Sequence, residues 1–216
     1  MGSREPQVQL SREALNVERM TYDERQVKKR FIDHLRHYRH DILNHIQMVK
    51  GYIQLGRLDD VKRYIDHIVL QAHQESLLSQ LGDPELAYLL LTYNYRRDNK
   101  LNLDVEVNLD AEQMQQIGQS GRHVFHMVNQ LLQLVETGCD PAPSEFAPQL
   151  YLLFDGDDRY FSVMCDYRGA WNQDAGLRCL PALQDKVTRC QGKLVEEVNH
   201  EQQLTLEIIC PWTCVR

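Results

Sequence analysis

The chain has 216 residues, of which 43% are hydrophobic and 25% charged, with a formal net charge of −7. That composition suits a globular protein with a real core. The acid excess argues against a nucleic-acid binder, which carries a basic face.

No signal peptide opens the sequence, and no apolar run approaches membrane-spanning length. A soluble, cytoplasmic protein is expected, without a membrane or nucleic-acid partner. Six cysteines occur: Cys139, Cys165, Cys179, Cys190, Cys210 and Cys214. None forms a C-x-x-C pair and the spacings do not suggest zinc. Free, buried thiols in a reducing compartment are expected.

Residues 1–21 are polar and weakly patterned, an N-terminal segment open to disorder. Leu35, Tyr38, Ile42, Ile46, Val49 and Ile53 then recur at three- and four-residue steps. This is the apolar stripe of a helix, at about 100° per residue. It extends backward through Val27 and Phe31, so the first helix is predicted to begin near Tyr22. Gly56 suits a left-handed cap and ends it. A second helix is predicted from Leu58 to about Gln80, with Val61, Ile65, Ile68 and Ala72 on its apolar side. The connection is short, so the two fold back as an antiparallel hairpin. A lone hairpin has too little to pack against. A second copy would bury both stripes in a four-helix bundle across a two-fold axis. Residues 22–81 are therefore read as a hairpin domain that forms a homodimer.

Asp83-Pro84 is a cap followed by a first-turn proline, predicted to open a helix to about Arg97. Leu101–Val107 alternates as a strand. A helix from about Gly118 to Glu136 follows, then a proline-rich loop at residues 140–143. Two alternating strands, Gln149–Phe154 and Tyr160–Cys165, are joined by the turn signal at residues 155–158. A helix is expected at Leu180–Gln191, and strands near Leu194–Val198 and Leu204–Cys210 close the chain. No internal repeat is visible. Residues 82–216 thus read as an α/β sandwich, a mostly antiparallel sheet with helices on one face, and the whole chain as α+β.

The chemistry concentrates on the first helix. His40 falls roughly 150° from the centre of the apolar stripe. Arg36, His40 and Asn44 are four apart and share a surface patch. His37 and Gln47 lie near it, while Asp41 sits on an adjoining face and touches only its edge. Four histidines, His34, His37, His40 and His45, crowd this segment. A zinc site is the first alternative, but no cysteine is near and the carboxylates are limited to Asp33 and Asp41. For His34, His37 and His45 a plain solvated face is the simpler reading.

The string Arg36-His37-Tyr38-Arg39-His40-Asp41-Ile42-Leu43-Asn44-His45-Ile46-Gln47 resembles the phospho-acceptor helix of histidine kinases and phosphotransferases. Lys50-Gly51, His73–Ser79 and Leu91-Thr92-Tyr93-Asn94-Tyr95 extend the resemblance to the sporulation initiation phosphotransferase B family. The likeness is close over about residues 30–105 and holds only in layout elsewhere. It implies a dimeric four-helix bundle and a phosphorelay role in sporulation. His40 would take a phosphoryl group from the aspartate of one response regulator and pass it to another. Imidazole is a good nucleophile near neutral pH, and its phosphoramidate is a high-energy donor, so transfer can run both ways. Arg36 or Arg39 could supply positive charge, Asn44 a hydrogen bond, and Asp41 an orienting contact. His37, Gln47 and Gly51 would join the regulator-binding face. No cofactor is expected on this chain, and the Mg2+ belongs on the partner regulator.

Two rival readings share the motif. A sensor histidine kinase would need an ATP site. Its asparagine box is matched only by Asn129 with Gln133, and its glycine box by Asp166-Tyr167-Arg168-Gly169-Ala170. There Arg168 and Ala170 stand where glycine would let the backbone approach a nucleotide. Gly176 and Gly192 stand alone, with no second glycine-rich lid. The third reading is a dimeric scaffold that docks a regulator without chemistry.

Overall fold

The computed structural model describes residues 5–96, 100–119, 122–140, 147–198 and 203–215. The first helix, α1 (Glu5–Gln54), is continuous and begins well before Tyr22. Pro6 lies in its first turn, where a missing N–H costs nothing. Between Pro6 and Gly51 the sequence contains neither proline nor glycine, so nothing interrupts it. Its end is a Schellman motif: Gly56 has φ +70°, its N–H donates to Ile53 O, and the Arg57 N–H donates to Tyr52 O.

The second helix, α2 (Leu58–Ser79), opens with Asp59 and Asp60 in its first turn, where they complement the helix dipole. The guanidinium groups of Arg63 and Arg57 hold the Asp60 carboxyl below the usual carboxylate range. Next to the turn, His45 Nδ1 lies 2.9 Å from Tyr64 Oη, and Tyr52 meets the Tyr64 ring edge-on at 5.9 Å. These contacts join the end of α1 to the start of α2 as the antiparallel hairpin the short connection predicts.

The chain divides within α2 into two compact units, Met1–Ile65 and Asp66–Arg216. The second unit holds the rest of α2, then α3 (Pro84–Thr92), β1 (Asn102–Asn108), α4 (Ala111–Gln119), α5 (His123–Gly138), β2 (Gln149–Gly156), β3 (Tyr160–Arg168), α6 (Gln173–Leu177), α7 (Leu180–Arg189), β4 (Lys193–Val198) and β5 (Gln203–Pro211). Asp83 caps α3 as predicted, its Oδ1 accepting from the N–H groups of Glu85 and Leu86 at 2.9 and 3.2 Å. The helix stops at Thr92, short of the predicted Arg97, and a 3-10 turn covers Tyr93–Tyr95. Arg97 itself lies outside the described residues.

Asn94 explains the early stop. Its side-chain amide donates to Leu103 O and accepts from Leu103 N, replacing a strand partner at the edge of β1. Tyr93 is fully buried and donates to Glu136 Oε1 at 2.7 Å. Burial and that carboxylate push its hydroxyl pKa up.

The helix predicted for residues 118–136 is α5, which begins only at His123, and a separate helix the prediction lacks, α4, precedes it. The sequence signal for α4 is a capping box: Asp110 Oδ1 accepts from Gln113 N, and Gln113 Oε1 accepts from Asp110 N, both at 2.9 Å. Gly118, read as a helix start, instead lies near the end of α4 against Gly82. A Cβ there would sit 2.3 Å from Gly82 O, so the two backbones touch. The short α6 was also absent from the prediction. Pro141 and Pro143 of the predicted loop lie outside the described residues.

The five strands form one sheet in the order β1-β2-β3-β5-β4, with β1 parallel to β2 and every other pair antiparallel. Burial alternates along β1 and β3 and along β2 as far as Asp155, so one face is core and the other open. Met127 of α5 meets Cys210 of β5 across that core at 3.9 Å, which places α5 on the buried face. Cys139, Cys165, Cys190 and Cys210 are buried and Cys179 is half-buried, with no disulfide among them; burial pushes the Cys165 thiol pKa up. The Cys214 side chain is outside the described part.

Candidate active site

His40 sits on α1, four turns before the Schellman cap, and its side chain is 71% exposed. A continuous helix fixes the backbone beneath it, so the imidazole stands on a rigid support. Asn44, one turn further on, places Nδ2 3.1 Å from His40 Nδ1. Asp41 Oδ1 lies 3.4 Å from the same nitrogen. Asp41 therefore reaches the ring rather than only the edge of the patch. The helical wheel misses this because it gives each side chain one direction, whereas a short carboxylate can lean back along the surface. His40 Nε2 has no hydrogen-bond partner among the described residues, on a side chain that is largely exposed.

Other predicted site residues are arranged differently. Arg36 Nη1 donates to Asp33 Oδ1 at 3.0 Å, away from the ring. His37 Nδ1 is 2.8 Å from Asp33 O. Arg39 and Gln47 are exposed. Gly51 is half-buried, and a Cβ added there would meet nothing within 4 Å. The structure thus brings His40, Asp41 and Asn44 together and leaves Arg36 and His37 as neighbours on Asp33. His45 belongs to the hairpin contact with Tyr64. Among the described residues no three His, Cys, Asp or Glu side chains cluster as metal ligands. None of the described helices is long and apolar enough to cross a membrane.

The residues matched to nucleotide boxes do not converge. Asn129 lies on α5, against the buried face of the sheet, and Gln133 is exposed and accepts from Gln130. Asp166 belongs to the open face of β3 with Met164 and Arg168, because Val163, Cys165 and Tyr167 fill the core. Asn129 and Asp166 are thus on opposite sides of the sheet. That alternation is readable in the sequence. Arg168 donates to Asp166 Oδ2 at 3.0 and 3.2 Å, occupying the carboxylate.

On the core side, the Trp171 ring is wedged between two glycines. A Cβ at Gly138 would lie 2.2 Å from Trp171 Cη2, and one at Gly176 2.2 Å from Cζ2. Beside the ring only about 10 Å³ remains, lined by Leu134, Gly176, Leu177 and Leu206 among others. Small-molecule pockets run to about 300 Å³ or more. The open face does carry a groove of about 440 Å³, bordered by Asp104, Tyr151, Asp166 and Arg168. Its carboxylates oppose the phosphates of a nucleotide.

Comparison with known proteins adds the lineage. Residues 20–81 match the family description "Sensor_kinase_SpoOB-type, alpha-helical domain", and residues 82–209 match "Sporulation initiation phospho-transferase B, C-terminal". The sporulation initiation phosphotransferase B of Bacillus subtilis (strain 168) is 30% identical over 141 residues, 63% of this chain and 69% of that protein. Among solved structures, the histidine kinase AdeS of Acinetobacter baumannii is similar at TM-score 0.41 and 15% identity, covering 80% of this chain and 98% of that one. The blue-light activated histidine kinase EL346 of Erythrobacter litoralis gives TM-score 0.43 and 10% identity, covering 79% and 58% respectively. With the two family descriptions running from residue 20 to residue 209, the chain belongs to the sporulation initiation phosphotransferase B family.

Proposed function

We propose that this chain is a phosphorelay phosphotransferase. It accepts a phosphoryl group on His40 from the aspartyl phosphate of one response regulator. It then hands the group to the aspartate of a second, in the control of sporulation initiation in the cytoplasm. The observation that carries the reading is the exposed imidazole on α1, with one nitrogen open and the other contacted by Asn44 and Asp41. Phosphoryl transfer needs positioning and charge neutralisation more than covalent help. His40 supplies the nucleophile and Arg39 the nearby positive charge, while Arg36 would have to leave Asp33 to join them. The regulator brings its own Mg2+, so this chain needs no cofactor. His37, Gln47 and Gly51 border the face the regulator would dock on.

A homodimer belongs to the same proposal. The apolar stripes of α1 and α2 are exposed in the single chain: Phe31 is 61% exposed, Ile46 57% and Ile53 54%. A second hairpin is the simplest cover. Against a kinase stand the separation of Asn129 from Asp166 and the Trp171 wedge, which favour a phosphoryl source other than ATP.

The test is incubation with phosphorylated response regulators carrying a radiolabelled phosphoryl group. Acid-labile label is expected on this chain and absent from His40→Ala, while regulator docking survives. Label that persists in His40→Ala sinks the assignment of the acceptor. Autophosphorylation from ATP would establish the kinase instead, and docking without any label the scaffold.

A further inference from the structure

Both polar neighbours of His40 address the same ring nitrogen, and they ask opposite things of it. Asn44 presents its amide nitrogen to Nδ1 at 3.1 Å. An amide N–H can only donate, so Nδ1 must offer its lone pair. The proton of the neutral ring then sits on Nε2. Asp41 presents carboxylate oxygen to Nδ1 at 3.4 Å. A carboxylate can only accept, so that contact becomes a hydrogen bond only when Nδ1 carries the proton. Nε2 is the nitrogen that no other group among the described residues contacts, hence the one a partner can reach. It is a nucleophile only in the second state.

We infer that Asn44 is a positioning residue that holds resting His40 as the Nε2–H tautomer, and that exchange of Asn44 for Asp41 on Nδ1 arms the ring. The inference rests on His40 being the phospho-acceptor. In the armed state Nδ1–H donates to Asp41, and the Nε2 lone pair faces outward. Attack forms the Nε2–P bond and breaks the P–O bond of the donor's aspartyl phosphate, whose carboxylate leaves with the electron pair. The ring becomes cationic with its proton still on Nδ1, and the Asp41 carboxylate beside it stabilises that charge. Return transfer reverses each step and leaves the ring neutral. A docking regulator that draws the Asn44 amide to its own surface releases Nδ1 at the moment of encounter.

The tautomer is read directly by nitrogen NMR of the full chain labelled with 15N-histidine, with the His40 signals assigned by their loss in His40→Gln. The wild-type ring is expected to carry its proton on Nε2. In Asn44→Ala the Nδ1–H population should rise. Phosphorylation by phosphoramidate, a small donor that needs no docking surface, should then be about two- to ten-fold faster, the worth of one hydrogen bond. Asp41→Asn should keep the Nε2–H ring and slow the reaction. A wild-type ring already protonated on Nδ1, with the Asn44 carbonyl turned toward it, overturns the proposal. So does an Asn44→Ala ring identical to wild type, or a slower Asn44→Ala reaction. If the ring behaves as described but His40 takes no phosphoryl group from any donor, the acceptor assignment fails, and the arming step falls with it.

Discussion

The hairpin and the C-terminal unit treat their apolar residues in opposite ways. In the C-terminal unit Val128, Leu131, Leu152 and Phe154 are completely buried, and the sheet and helices close a core within the chain. On the hairpin, Phe31, Ile42, Ile46 and Ile53 repeat with equal regularity and remain exposed. The first pattern is covered within one chain, and the second is left uncovered. The candidate nucleophile stands on the uncovered hairpin, on the side of α1 turned away from the exposed stripe. Assembly and chemistry can therefore be separated by mutation, one face at a time.

The largest expected effect comes from breaking the stripe. Ile46→Asp places a charge where about 1.5–3 kcal/mol of apolar burial per copy would be gained. Sedimentation velocity at micromolar concentration should show a wild-type dimer and a monomeric variant with unchanged helical circular dichroism. A monomeric wild type would remove the contrast between the two units altogether.

The same treatment of the C-terminal unit should change stability and leave the mass unaltered. Leu131→Ala opens a cavity in α5 and should cost about 2–5 kcal/mol in urea unfolding. The dimer expected in sedimentation should persist. Loss of the dimer in this variant would mean that the two units are not separable in energy.

How much of this was legible from residues alone differs between the units. Gly56, Asp83-Pro84 and the alternating strands have local physical causes, and each stands where the sequence places it. The true start of α1 was missed because residues 5–21 lack an apolar stripe, and a helix without one is invisible to periodicity. The helix α4 carries only Met114 and Ile117 as buried residues, too few for a period, although its Asp110–Gln113 capping box was readable. The Trp171 wedge depends on Gly138 and Gly176, far apart in sequence, and no local rule brings them together. At the site, spacing located His40 and Asn44. It could not show that Asp41 and Asn44 compete for one nitrogen, because that depends on side-chain rotamers.

A smaller effect tests local cause within the C-terminal unit. Asp83→Ala removes the two hydrogen bonds that start α3 and should cost about 1 kcal/mol, measured as a lower urea midpoint at constant slope. Asp83→Ser should recover most of it, since a hydroxyl can accept from the same N–H groups. If both variants lose equally, the carboxylate serves something other than the cap.

The smallest effect sharpens the comparison most, because its sign depends on assembly. Gly51 lies inside α1, where glycine costs about 0.5–1 kcal/mol relative to alanine. Within the single chain a Cβ there meets nothing within 4 Å, so Gly51→Ala should stabilise the hairpin by about that amount. In the Ile46→Asp background, where the chain is expected to be monomeric, thermal unfolding should show the gain in full. In the dimer the outcome depends on what lies across Gly51. If a partner helix or a docked regulator needs the space, the methyl group weakens that association while the monomer gains. Comparing Gly51→Ala alone and with Ile46→Asp, by melting temperature and by regulator binding, assigns the glycine to one surface or the other. Equal gains in both backgrounds, with unchanged regulator binding, would show that Gly51 is merely tolerated and that the docking face ends before it.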